Sequence, residues 1–190
     1  MLTSGDIISF GMKICIAGNG YVGKTSIKRR YLGMQFKETY MATIGADFTL
    51  KEQSYKNITI KYLIWDLAGQ VKYENIRGSY FLGAKGLMLV YDVTNFLSFE
   101  ELDNWIDEFR RTVKDPIPII LVGNKIDLRE AGIPAISTSE GEAKAQELRE
   151  KYSCHVHFVE TSAKTGENID LAFDNLSEVL YDTQIVKHLK

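Results

Sequence analysis

The sequence predicts an α/β fold: a mostly parallel six-stranded sheet with one antiparallel edge strand and helices on both faces, three layers in all. Three observations carry this. Apolar, β-rich runs alternate along the chain with stretches of helical period, the pattern of strand–helix–strand units with right-handed crossovers. Two of the β-rich runs, 46–52 and 58–65, are joined by a short polar connection around Tyr55-Lys56-Asn57, which suits an antiparallel hairpin. The run 86–91 is apolar throughout, as a strand covered on both faces must be. A chain of 190 residues can bury a sizeable core, and 1–190 reads as a single domain with its core at about 12–182.

The elements follow in order. Residues 12–17 read as a buried first strand, and a helix over 25–32 ends at Gly33, a plausible C′ position. Lys28, Arg29 and Arg30 on that helix read as a solvated face. Residues 36–43 show no periodicity and read as a loop ahead of the hairpin. Asp66 ends the hairpin, and 71–81 reads as an irregular helix. After the apolar strand, Ser98 with Glu101 three residues on reads as a capping box. The helix it would start repeats apolar residues at Phe99, Leu102, Trp105 or Ile106, Phe109 and Val113. A strand over 119–122, a helix over 139–152, a strand over 155–159 and a helix over 167–181 complete the chain. On the last helix Ile169, Ala172, Phe173, Leu176 and Leu180 make one stripe.

Composition excludes several classes. A net charge of −2 offers no electrostatic footprint for nucleic acid. No apolar run reaches membrane-spanning length, and the first ten residues lack the basic start of a signal peptide. Cys15 and Cys154 sit in strand-like runs and read as buried, reduced thiols of a cytosolic protein. His155 and His157 alternate on the last strand, but zinc would need further ligands that are not in view.

The chain is organised around Gly18-Asn19-Gly20-Tyr21-Val22-Gly23-Lys24-Thr25, which reads G-x-x-x-x-G-K-[ST] between a strand and a helix. A polyphosphate is a dense anion cluster that needs many N–H donors at close range. Glycines let backbone amides curl around it, and the helix N-terminus adds unpaired amides and the positive end of a dipole. Lys24 supplies a cation, and the Thr25 hydroxyl can ligate Mg²⁺. In a parallel sheet ligands bind beyond the carboxyl ends of the strands. The ends of four predicted strands bring this loop, Asp66, Asn124 and Ser162 to one edge.

Further motifs stand in order: Thr43, Asp66-Leu67-Ala68-Gly69-Gln70, Asn124-Lys125-Ile126-Asp127 and Thr161-Ser162-Ala163-Lys164. With them the chain resembles the small Ras-like GTPases, most closely the Rab branch, over nearly its whole length. The resemblance implies a G domain that binds GTP or GDP with Mg²⁺ and slowly hydrolyses GTP. Guanine offers N1–H and N2–H₂ as adjacent donors, so the Asp127 carboxylate accepts both, and adenine lacks that pair. The resemblance makes Asn19, Gly20, Tyr21, Val22, Gly23, Lys24, Thr25 and Ser26 phosphate-loop contacts. It gives Lys125 a place against the base, Asn124 a tie between loops, and Ser162, Ala163 and Lys164 a second base loop. Phe36 would cover the other base face, and Tyr40 would close over the phosphates.

Thr25 and Thr43 resemble the Mg²⁺ ligands, with Asp66 holding a metal-bound water; Gly69 resembles the γ-phosphate contact. Gln70 resembles the residue that orients the attacking water, with Lys24 as its catalytic companion. No arginine finger is expected from this chain, so intrinsic turnover should be on the order of 10⁻⁴ to 10⁻² s⁻¹. Segments 36–48 and 66–81 would be switches ordered by the γ-phosphate. Ile44, Phe48, Trp65 and Tyr80 would form an effector surface. The resemblance implies an exchange factor, a GTPase-activating protein and effectors as partners, vesicle trafficking as the setting, and a cytoplasmic monomer. It implies a peripheral membrane protein only if a lipidated tail follows, since 186–190 hold no cysteine.

The chain also departs from the pattern. Tyr21 replaces a small residue, Leu67 a threonine, and Val71 the glutamate after Gln70. These departures favour a second reading, a module that loads GTP but barely hydrolyses it. An ATP-using phosphotransferase is disfavoured by Asp127.

Overall fold

The computed structural model describes residues 8–36, 43–70, 73–129 and 132–189. Six strands, β1 (Ile8–Ala17), β2 (Ala46–Tyr55), β3 (Ile58–Leu67), β4 (Gly86–Asp92), β5 (Ile119–Asn124) and β6 (Val156–Thr161), form one sheet in the order β2-β3-β1-β4-β5-β6. β2 runs antiparallel to β3, and every other neighbouring pair is parallel. The predicted class therefore holds, antiparallel edge included. Strand order reverses at β1, which has β3 on one side and β4 on the other. That is where an open α/β sheet leaves a crevice for a ligand.

Helices α1 (Lys24–Tyr31) and α6 (Ile169–Leu180) cover one face. On the other lie α2 (Glu74–Phe81), α3 (Phe96–Glu100), α4 (Leu102–Thr112) and α5 (Thr138–Tyr152). Strand alternation assigns the two cores. Ile14 and Ile16 point from β1 toward Ile27, Phe173 and Leu176, whereas Cys15 and Ala17 point toward Phe81, Leu102 and Phe109. The stripe expected on the last helix is buried as a unit. That helix runs on through a π-turn, Tyr181–Ile185, into α7 (Val186–Leu189). The fully apolar run on β4 is buried at all seven positions.

Helix ends show where local reading succeeds and fails. α1 ends in a Schellman motif: the Gly33 amide donates to Arg30 and the Met34 amide to Arg29, with Gly33 at φ 79° as the C′ reading requires. The capping box expected at Ser98 and Glu101 is not formed. Asn95 caps α3 by accepting from the Ser98 amide, while the Ser98 hydroxyl is buried and turns back onto Asn95. Glu101 instead accepts from the Asn19 side chain, at the junction between α3 and α4. The real box stands on α5, where Ser137 and Glu140 satisfy each other's amides. Cys154 lies just ahead of β6 rather than in it.

The expected solvated face on α1 is also overturned. Lys28 is 2% exposed and ion-paired, and Arg30 donates to the carbonyl of Thr165. Among the described residues no helix is long and apolar enough to cross a membrane.

Candidate functional site

The C-terminal ends of β1, β3 and β5 open onto a cavity of about 490 Å³. Its wall takes Tyr21, Gly23, Lys24, Thr25 and Ser26 from the loop after β1 and the start of α1, with Phe36 and Thr43 from the segment that follows. Leu67, Gly69 and Gln70 come from the end of β3 and the turn beyond it. Asn124, Lys125 and Asp127 come from the end of β5, and Ala163 and Lys164 from the loop after β6. Residues separated by up to 143 positions thus share one wall, Tyr21 at one extreme and Lys164 at the other.

The loop is shaped for close approach. Gly23 sits at φ 102°, and a Cβ there would lie 2.2 Å from the Asn124 side-chain nitrogen. A Cβ on Gly69 would lie 2.3 Å from the Asn19 backbone, so the segment after β3 packs directly on the loop. Lys24 is 6% exposed and donates to the carbonyls of Gly18 and Asn19 at 2.6 Å each. Burial lowers its pKa to about 8. Tyr21 adopts φ 67° and is 64% exposed, a large ring standing on the rim of the cavity.

The oxygen-rich corner is compact. Thr25 Oγ1 lies 3.1 Å from Thr43 Oγ1 and donates to Asp66 Oδ2 at 2.5 Å. Asp66 is fully buried, and its Oδ1 has no partner among the described residues. Burial pushes the Asp66 carboxyl above its ordinary value. Two neighbouring ligands of an octahedral Mg²⁺ lie about 2.9 Å apart, so this pair of hydroxyls and the spare carboxylate oxygen fit such an ion.

At the other end Asn124 is a tie between loops. Its amide donates to the Val22 carbonyl at 2.8 Å, and its Oδ1 accepts from Thr161 Oγ1 and the Ala163 amide at 3.0 and 3.1 Å. The Ser162 hydroxyl donates to Asp127 Oδ1 at 2.5 Å and so holds the carboxylate. Lys125 adopts φ 71° and pairs with Asp92 at 2.6 Å, tying the loop after β5 to the end of β4.

Not every predicted contact reaches the wall. Asn19, Gly20, Val22, Asp66 and Ser162 are not part of it, Asp66 reaching the site only through its bond to Thr25. The Asn19 side chain is drawn away, donating to Glu101 and accepting from Trp105 Nε1, each at 2.6 Å. Tyr40 and Val71 lie outside the described residues, as do parts of both segments expected to switch. Phe48, Trp65 and Tyr80 come together as a row of rings with centroids 5.3 and 5.7 Å apart, and Ile44, two residues ahead of β2, is 82% exposed. Unforeseen on the wall are Arg29, Leu67 and Leu128. Arg29 follows Lys28, four residues past Thr25 on the helix, so its place on the cavity side was open to inference from the motif's own register. Among the described residues no cluster of three or more His, Cys, Asp or Glu could hold a metal ion, which covers His155 and His157.

Sheet order, crevice and glycine-lined loop define a P-loop nucleotide-binding protein of the α/β class. A family model described as the Ras family matches residues 13–182. The chain is 36% identical to the Ras-related protein Rab-1 of Theileria parva over 171 residues, 90% of this chain and 74% of that protein. It is 38% identical to the Ras-related protein Rab-7a of Paramecium octaurelia, covering 87% of this chain and 79% of that one. It is 37% identical to the GTP-binding protein YPTM1 of Zea mays, covering 88% and 77%. The chain belongs to the Ras family of small GTPases, in its Rab branch.

Proposed function

We propose that the chain is a GTP-operated switch built on a single G domain, holding GTP or GDP with Mg²⁺ and slowly converting one into the other. The observation that carries this is the convergence of Lys24, Thr25, Thr43, Asn124 and Asp127 on one cavity, with Asp66 bonded to Thr25. Asp127, held by Ser162, accepts from the guanine edge, while the Ala163 amide and the Lys125 stem complete the base pocket, with Phe36 on its outer side. Gly23 and its neighbours present amides to the phosphates, and Lys24 turns its ammonium from loop carbonyls toward them. Thr25 and Thr43 would hold the Mg²⁺ and Asp66 its water; bound there, the ion neutralises phosphate charge. Gln70 orients the attacking water, and Gly69 meets the γ-phosphate with its amide. Loss of that phosphate frees the segments carrying Thr43 and Gly69, and the surface around Ile44, Phe48, Trp65 and Tyr80 changes for its effectors.

Membership of the Rab branch supports a role in vesicle trafficking with an exchange factor and an activating protein as partners. The measurement is phosphate release from GTP by purified protein, with Gln70→Leu reducing it at least tenfold. Asp127→Asn should weaken GTP binding and favour xanthosine triphosphate, whose ring carries an oxygen at position 2. Equal GTP affinity in that variant would refute the base assignment. The reading as a slow module that mainly stores GTP is favoured by the Tyr21 ring on the rim and by Leu67 in the wall. Nucleotide extracted from the purified protein decides: mainly GTP supports storage, wholly GDP supports turnover.

A further inference from the structure

Lys28 is a buried cation that the nucleotide chemistry above does not use. It stands one helical turn beyond Lys24 on α1 and is 2% exposed. Its Nζ lies 2.5 Å from Asp47 Oδ2 and 3.8 Å from Asp66 Oδ2. Those two carboxylates face each other directly across the β2–β3 ladder. Like charges at such a position repel, and a buried one without a partner is costly. Lys28 bridges the pair. Lys24, the other ammonium near Asp66, is bound to the carbonyls of Gly18 and Asn19.

We propose that Lys28 is a resident counter-cation of the metal corner, which shares Asp66 with the divalent ion and thereby weakens the hold on Mg²⁺. This rests on the reading of Thr25, Thr43 and Asp66 as the Mg²⁺ corner. Without the ion, Lys28 keeps Asp66 compensated; with it, two like-signed charges draw on one buried carboxylate. Nucleotide retention by this chain then needs a higher free Mg²⁺ than it would with a neutral residue at the position. Asp47, whose side chain is 64% exposed, divides the charge of Lys28 and sets how much of it falls on Asp66.

The test loads the full chain with a fluorescent GDP and follows its release into excess unlabelled GDP over a range of buffered free Mg²⁺. The readout is the Mg²⁺ concentration that half-suppresses release. Lys28→Met keeps the stem volume and removes the charge, and should lower that concentration roughly tenfold. Asp47→Asn leaves the whole charge of Lys28 on Asp66 and should raise it by about threefold. A half-effective concentration unchanged in Lys28→Met, or both variants moving it in one direction, overturns the proposal. Should Lys28→Met fail to fold, Lys28→Gln and the exposed-site variant Asp47→Asn carry the same opposed predictions. A wild-type chain that retains no labelled GDP at any Mg²⁺ concentration overturns the nucleotide reading itself, a different failure from an unmoved Mg²⁺ response.

Discussion

Lys24 and Lys28 lie one turn apart on α1, and burial confronts both with the same cost. Each meets it with oxygen: Lys24 with two loop carbonyls, Lys28 with two carboxylates. Lys24 was legible, as a residue of the cavity wall, because its motif stands between a strand and a helix. Lys28 was not, because single-residue burial depends on what α1 packs against, and neither Asp47 nor Asp66 is near it in sequence. Asp66 and Asp127 were placed at one sheet edge by motifs at the ends of predicted strands, whereas Thr43 rested on the resemblance alone. A titratable residue away from the cavity gives a prediction at this scale. Burial lowers the pKa of His157 below its ordinary 6.5, so the native state favours the neutral ring. Its contribution is whole above the unfolded value and is lost as pH falls through the lower, folded one, because the unfolded chain takes up the proton first. His157→Gln should flatten the decline of Tm on that side, measured by thermal melts across the acid range.

At the scale of elements, α2 is held by charge as well as by packing. Arg77 reaches Glu108 of α4 through two hydrogen bonds of 2.7 Å, donates to the Gln70 carbonyl at 3.0 Å, and stacks over Trp105. Glu108→Gln leaves Arg77 buried with its charge uncompensated and should cost about 3 kcal/mol, read from urea unfolding. Hydrogen exchange along α2 should quicken in that variant. No local pattern announces this pair, since Arg77 and Glu108 lie on helices separated by β4. The box on α5 is the contrary case: Ser137 and Glu140 sit in plain spacing, yet Ser98 and Glu101 offered the same signal falsely. What decided between them was Asn95, three residues ahead of Ser98 and so placed to accept its amide first. Ser137→Ala should cost about 1 kcal/mol in the same unfolding measurement.

For the molecule as a whole, the sheet divides two cores, one on each face. The class followed from the alternation of β-rich and helical runs, and the antiparallel edge from the short connection around Lys56. The strand order, with β1 between β3 and β4, was not read from the sequence and appears only in the fold. Nor was the exact reach of β1: its first residues, from Ile8, pair with Ile58 onward, and their mixed polarity hides that pairing. Leu176→Ala, at a fully buried site on α6, should cost about 3 kcal/mol by opening a cavity against Ile14 and Phe173. Chemical denaturation should show one transition with a lower midpoint. Cys15, whose thiol burial pushes up to about 12, should resist alkylation until that transition is crossed.

The Asn124 side chain is a single amide with two distinct ends, one bonded to the phosphate loop and the other to the loop beside Asp127. Its removal cannot be confined to either half of the ligand. A bare nucleoside and a bare inorganic polyphosphate, each touching one half alone, should both dissociate faster from Asn124→Ala. Repairing one half with an added contact should leave the other as loose as before.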